Sequence, residues 1–268
     1  MPRRKALFVL TKPNCLYYVC PPVMTVNTPP SNLAFDLAEA LRHLSERDEQ
    51  LKRLIAETAP FQIEVEDAQS PYEVLLESIA YQSISGKAAA TIFGRIKSLG
   101  ENDRPPTPEK MVKIPTARLR KAGLSGAKAT AMKDLAKKTI AGVVPTHDEA
   151  LKLSDEELVE RMVSVRGIGA WTVEMFLIFR LGRPDVLPIH DLGVKKGWSV
   201  AYAKKHMPTP KELLQFGERW RPYRTVASWY MWRAFERAGY KVTNKIRPRP
   251  PRRKKRQVNH DLKRKQSI

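Results

Sequence analysis

Two glycines bracket one apolar residue in Val163-Ser164-Val165-Arg166-Gly167-Ile168-Gly169-Ala170-Trp171-Thr172. Glycine tolerates positive φ, so this spacing allows a tight turn whose successive N–H groups form a concave donor site. At the start of a helix, such a site suits a phosphate. A plain inter-helix turn would use the same residues, and a G-x-G alone is a weak signal. Asp191, in Pro188-Ile189-His190-Asp191-Leu192-Gly193, precedes a helix expected over 192–203 and by itself reads as its N-cap. Asp185 follows Arg183-Pro184 and reads as a turn residue. His190 could serve as acid or base, but a surface or supporting role fits it better, and it is assigned none. Cys15 and Cys20 are too few for a disulfide framework, a four-thiolate zinc site or a cubane cluster. A reducing compartment is the simplest reading.

Helices must position these residues. Ser70-Pro71-Tyr72-Glu73 has the pattern of a capping box with proline in the first turn, and Leu75, Leu76 and Ile79 follow on one face. Ser85 can cap a helix that buries Ala88, Ala89, Ile92, Phe93 and Ile96. Ser125 precedes another, with Met132, Leu135 and Ile140 inward. Ser154-x-x-Glu157 opens a helix over 155–163 that runs into the glycine turn, and a helix over about 170–181 leaves it, burying Val173, Phe176 and Leu177. Thr209-Pro210-Lys211-Glu212 repeats the Ser70 pattern. Strand signals are nearly absent. The pattern predicts an all-α fold of about nine or ten helices.

The 268 residues carry 48 Lys and Arg against 28 Asp and Glu, a net charge of +20, which points to a polyanionic partner. Residues 241–268 hold 12 bases against Asp261 alone, a net of +11, while residues 31–70 are acidic. The tail has prolines and no apolar periodicity, so disorder is expected for 241–268. Its clusters Arg252–Arg256 and Lys263–Lys265 suggest a nuclear address ahead of a phosphate clamp or a solubilising tail. Residues 1–30 are base-rich and acid-free and read as a flexible leader; a mitochondrial presequence fits them only weakly. No apolar run approaches the roughly 20 residues of a membrane span, and no membrane partner is expected.

Taken together, VRGIGAWTVEMFLIF and RPDVLPIHDLGV resemble the helix-hairpin-helix DNA glycosylase superfamily, in its 3-methyladenine DNA glycosylase II branch. LLESIAYQSIS, LRKAGLSGAKA and RWRPYRTVASWYMW follow the expected order, so the similarity covers about residues 33–238. The resemblance implies a two-lobed helical core over 31–240, with flexible tails. One lobe would span about 71–182. The other would combine 33–70 with 183–239, with Asp191 facing the cleft between them. It further implies a repair enzyme that flips an alkylated purine of the 3-methyladenine or 7-methylguanine type out of duplex DNA and hydrolyses its N-glycosidic bond, leaving an abasic site.

By the resemblance, Asp191 matches the catalytic aspartate, which stabilises charge developing on the sugar. Trp171 and Trp232, with Tyr72 as a further candidate, would line the base pocket, where cationic purines stack on electron-rich rings. Trp229 reads as core. Gly167, Ile168, Gly169, Ala170 and Thr172 of the hairpin would hold DNA phosphate. Gln82 and Ser83 occupy the segment that fills the gap left by a flipped base, and Ser83 is a short plug. Bifunctional relatives carry a lysine nucleophile where this chain has Trp171, which implies a monofunctional hydrolase. No cofactor is required; the backbone carbonyls of Val163, Val165 and Ile168 would hold a structural Na+ or K+. The partner would be duplex DNA containing alkylated bases, met by a monomer in the nucleus, or in the cytoplasm or nucleoid of a bacterium. A non-catalytic DNA-binding module, or a glycosylase for deaminated or oxidised bases, are the competing readings.

Overall fold

The computed structural model describes residues 33–63, 65 and 70–239. The leader with both cysteines and the basic tail lie outside the described residues. Among the described residues there is no strand, and there are thirteen α-helices: α1 (Leu37–Arg47), α2 (Glu49–Glu57), α3 (Pro71–Tyr81), α4 (Gly86–Lys97), α5 (Pro108–Lys113), α6 (Thr116–Lys121), α7 (Gly126–Ile140), α8 (His147–Lys152), α9 (Asp155–Val163), α10 (Ala170–Phe179), α11 (Leu192–Ala201), α12 (Pro210–Gly217) and α13 (Arg224–Arg237). A 3-10 turn, Glu218–Trp220, joins α12 to α13. The all-α expectation holds. The count exceeds nine or ten because α5, α6 and α8 are only six residues each, too short to show periodicity.

Side-chain caps start most of these helices. Full capping boxes form at Ser154 and Thr209, and also at Thr146. At Ser70 only half the box forms: the hydroxyl accepts the Glu73 N–H, while the Glu73 carboxylate pairs with Arg104 at 3.0 Å. Ser85 and Ser125 cap α4 and α7 as the sequence suggests. Ala88 and Ile140, expected inward, are exposed. Ile140 is the last residue of α7, beyond the reach of the helices that cover its earlier turns.

The helices pack in two groups. In one, α3 lies against α4, α7 and α10, with α5 and α6 against α7 and α9 against α10. In the other, α11 lies along α13, and both meet α2, which pairs with α1. A single apolar core runs through both groups. α10 is buried on almost every side through Val173, Met175, Phe176, Leu177, Ile178 and Phe179. Removing each such side chain from water contributes about 1.5–3 kcal/mol, so α10 is a fixed platform.

The α11–α13 pair is unusually close. A Cβ on Gly197 would lie 1.8 Å from the Met231 carbonyl oxygen, and one on Gly193 would lie 2.8 Å from Cδ1 of Trp232. Two glycines one turn apart therefore let α13 lie directly on the α11 backbone. The loop before α11 is tied to the same helix. Thr225 Oγ1 accepts the Val186 N–H and donates to the Arg183 carbonyl, while Asp185 pairs with Arg224 and Arg221 at 2.7 and 2.6 Å.

Candidate functional site

Asp191 stands at the start of α11, where the two groups of helices meet, and it is 4% exposed. Its Oδ1 accepts the Val194 N–H at 2.8 Å, the N-cap bond, and the Trp232 Nε1–H at 2.9 Å. Its Oδ2 accepts the Trp171 Nε1–H, also at 2.9 Å. One carboxylate thus joins the first turn of α10, the start of α11 and the middle of α13. Residues 171, 191 and 232 form one unit, and Gly193 is what lets the Trp232 indole reach it. Phe179 stacks on Trp232 at 5.8 Å and holds that ring from behind. Trp171 is only partly buried, so Oδ2 is the oxygen with the looser cover.

The carboxylate does not stand open to a cleft: two indoles cover it. Both rings are the ones expected to line a base pocket, so the group is ring-lined but closed. Trp229 is core, fully buried, with its indole N–H on the Gln62 carbonyl. Tyr72 is not brought to this unit. It is buried at the start of α3 with its hydroxyl on the Pro106 carbonyl at 3.0 Å, and burial pushes its phenol well above the usual range. A tyrosine ring whose hydroxyl finds a backbone partner belongs in a core as readily as in a pocket wall. His190 is exposed, and Asp185 is an ion-paired anchor of the loop.

The hairpin lies between α9 and α10. Gly167 adopts φ +80°, but Gly169 has φ −103°, so only the first glycine needs left-handed backbone. Ile168 is 5% exposed and pins the turn to the core. α10 has no side-chain cap, and the N–H groups of Gly169 and Ala170 have no internal acceptor among the described residues. Free N–H groups at a helix start are the requirement for holding an anion. Ala170 is exposed and Thr172 is partly buried beside it. Among the described residues the carbonyls of Val163 and Ile168 likewise accept no hydrogen bond, whereas that of Val165 accepts the Ile168 N–H at 3.0 Å.

Partners remote in sequence hold this turn. Asp134 on α7 accepts the Arg166 N–H at 2.7 Å and pairs with Lys138 at 3.4 Å, and Lys138 donates to the Ser164 carbonyl. Burial opposes ionisation of Asp134, but the Arg166 N–H and the Lys138 ammonium outweigh it and hold the carboxyl below its usual range. Gln82 donates its amide to the Gly167 carbonyl at 2.9 Å. That bond ties the segment after α3 to the hairpin and occupies one of the groups expected to face DNA. Ser83, next in the chain, is exposed with φ +58°, a left-handed conformation that costs a non-glycine residue about 1–3 kcal/mol.

Sequence reasoning missed Glu174. It is the one charged residue in α10, whose sequence is AWTVEMFLIF, and that isolation was the available signal. It lies three residues beyond Trp171, on the same helical face. Its Oε2 is buried without a hydrogen-bond partner. Burial, and then the nearby charge of Asp191, push its carboxyl up to about 7. A carboxyl raised from 4.5 to about 7 favours folding below pH 4.5 and withdraws that support as pH climbs through about 7. Glu174→Gln should therefore stabilise the protein above pH 7, by at most about 3 kcal/mol, and lose that advantage below pH 4.5. Urea midpoints of both proteins at pH 4.5 and pH 8 check this; equal differences at the two pH values would reject it.

A free-ended hairpin beside a ring-covered carboxylate, at the seam of two helical groups, defines the class of helix-hairpin-helix proteins that act on DNA. The chain belongs to the HhH-GPD superfamily of base excision DNA repair proteins, matched over residues 76–222. It is 39% identical over 214 residues to the DNA-3-methyladenine glycosylase 1 of Schizosaccharomyces pombe, covering 80% of this chain and 93% of that protein. Among solved structures it is similar to the S. pombe 3-methyladenine DNA glycosylase in complex with abasic DNA, with a TM-score of 0.66, 39% identity, and 76% and 99% of the two chains covered. It is similar too to the DNA-3-methyladenine glycosidase of Bacillus halodurans, with a TM-score of 0.69, 30% identity, and 75% and 90% covered.

Proposed function

We propose that this base excision repair protein releases alkylated purines of the 3-methyladenine and 7-methylguanine type from duplex DNA, with Asp191 as the catalytic carboxylate. The observation that carries the reading is the convergence of Trp171, Trp232 and the cap of α11 on Asp191. As the base departs, positive charge spreads over C1′ and the ring oxygen of the sugar. A carboxylate fixed by three N–H groups is already oriented for that charge, and the partly buried Trp171 has to turn aside for the sugar to reach Oδ2. A lesion purine that is already cationic stacks on an indole, worth about 2 kcal/mol when desolvated, and needs little help to leave.

DNA phosphate would sit on the free N–H groups of Gly169 and Ala170. A monovalent cation suits the open carbonyls of Val163 and Ile168, with Val165 as a third ligand; it would fix the turn and lend positive charge next to the phosphate. Ser83, at the exposed turn tied to the hairpin through Gln82, would enter the duplex as the base leaves it. Trp171 offers no amine for a Schiff base, so hydrolysis ends at the abasic site.

Duplex carrying 7-methylguanine and 3-methyladenine is the test. Both bases should appear free in solution, and the strand should break only after alkali. If neither base is released the reading fails. Direct strand breakage without alkali would reject the monofunctional part.

A further inference from the structure

We propose that Glu174 is a second working carboxyl of the Asp191 site, a proton donor that lets the enzyme expel uncharged purines. The inference rests on the glycosylase reading and extends it from cationic to neutral leaving groups.

Three observations carry it. Glu174 stands one turn from Trp171 on the buried platform α10, the Trp171 indole donates to Asp191, and the charge of Asp191 reaches Glu174. Asp191 accepts at both oxygens from three N–H groups, whereas Oε2 of Glu174 is buried and unpartnered. A buried polar atom left without a partner is uncommon and calls for a ligand or a chemical role. The unlike environments of the two acids also match the general pattern in which one carboxyl of a pair stays an anion and the other carries the proton.

The surrounding charges do not remove that proton. On α3, Glu73 pairs with Arg104, and Glu77 is engaged. On α9, Glu157 caps its own helix, and Glu156, Glu160 and Arg161 are exposed. Arg233 on α13 pairs with Glu236, and Arg180 at the end of α10 is engaged. Asp191 is the charge that acts on Glu174, and it raises its proton affinity.

In the step itself, the Glu174 O–H bond breaks and its proton passes to a ring nitrogen of the base. The C1′–N electron pair leaves with the base, and Asp191 faces the cationic sugar. Water adds its oxygen to C1′, and its proton restores the Glu174 acid. A base that is already cationic gains nothing from this proton, whereas a neutral one departs as an anion without it.

The test is single-turnover release of hypoxanthine, an uncharged purine, and of 7-methylguanine by the full chain from pH 5.5 to 9. Wild-type hypoxanthine release should fall about tenfold per pH unit above about 7. Glu174→Gln should lower the ratio of hypoxanthine to 7-methylguanine release at pH 6 by about 100-fold and flatten its pH profile. Glu174→Asp should keep the alkaline fall. Thermal midpoints and duplex affinity at pH 6 verify that both variants fold. An unchanged ratio in Glu174→Gln, or a wild type that frees 7-methylguanine but no hypoxanthine, overturns the proposal. A wild type that frees neither overturns the glycosylase reading instead.

Discussion

Asp191→Asn should reduce single-turnover release of 7-methylguanine by about 10²–10³-fold, with duplex affinity within about threefold of wild type. The substitution suits the geometry. Oδ1, which takes both the Val194 cap bond and the Trp232 indole, survives in asparagine. Only the Trp171 contact at Oδ2 is replaced, by an amide N–H facing an indole N–H. Trp171 is partly exposed and can turn away, so the loss of stability should stay near 1–2 kcal/mol. A thermal midpoint and a binding isotherm measured beside the rate separate chemistry from folding. Release reduced less than tenfold would mean that the carboxylate is only a helix cap.

The comparison with Asp48 shows why that distinction must be made by experiment. Asp48 is also a buried N-cap, accepting the Leu51 N–H, the Trp220 Nε1–H at 2.9 Å and the Tyr202 hydroxyl at 2.6 Å. Two carboxylates in this protein thus share one local pattern. Asp48 binds α2 to Tyr202 and Trp220 within its own group of helices. Asp191 faces across the seam to α10, beside the hairpin and next to Glu174.

Gly197→Ala should cost the fold at least about 3 kcal/mol and abolish base release with it. The added methyl would lie 1.8 Å from the Met231 carbonyl oxygen and 2.5 Å from its carbon. Both are backbone atoms, so no side chain can swing aside and α11 must move off α13. That movement separates Asp191, at one end of α11, from Trp232 on α13. For a domain of this size the melting midpoint should fall by roughly 6–12 °C. Gly126→Ala in α7, where an added methyl meets nothing within 4 Å, is the control and should change stability by about 0.5 kcal/mol or less. Equal behaviour of the two variants would rule out the close α11–α13 contact.

Much of the site could be read from the chain because its signals are local. The glycine turn, its buried Ile168 and the helices on either side follow from spacing within ten residues. Ser85, Ser125, Ser154 and Thr209 announce helix starts through bonds that close within three residues. Family resemblance gave Trp171 and Trp232 as rings of a base pocket, but their pairing with Asp191 came only from the structure. That pairing spans 20 and 41 residues, and no periodicity links positions on three different helices. Asp134 and Lys138 escaped notice for the same reason: they act on a turn some thirty residues away.

The amino-acid sequence by itself determined the all-helical character, the hairpin, the basic charge and the cap at Asp191, since each depends on neighbours in the chain. It also contained Gly193 and Gly197, four residues apart, without revealing what they admit. Tertiary structure decided that Tyr72 belongs to the core, that Gln82 holds the hairpin, that two indoles cover Asp191, and that Oε2 of Glu174 is buried without a hydrogen-bond partner among the described residues. Burial and hydrogen-bond partners are properties of the assembled helices. A residue's type sets which bonds it can make, and only packing selects the one it does make.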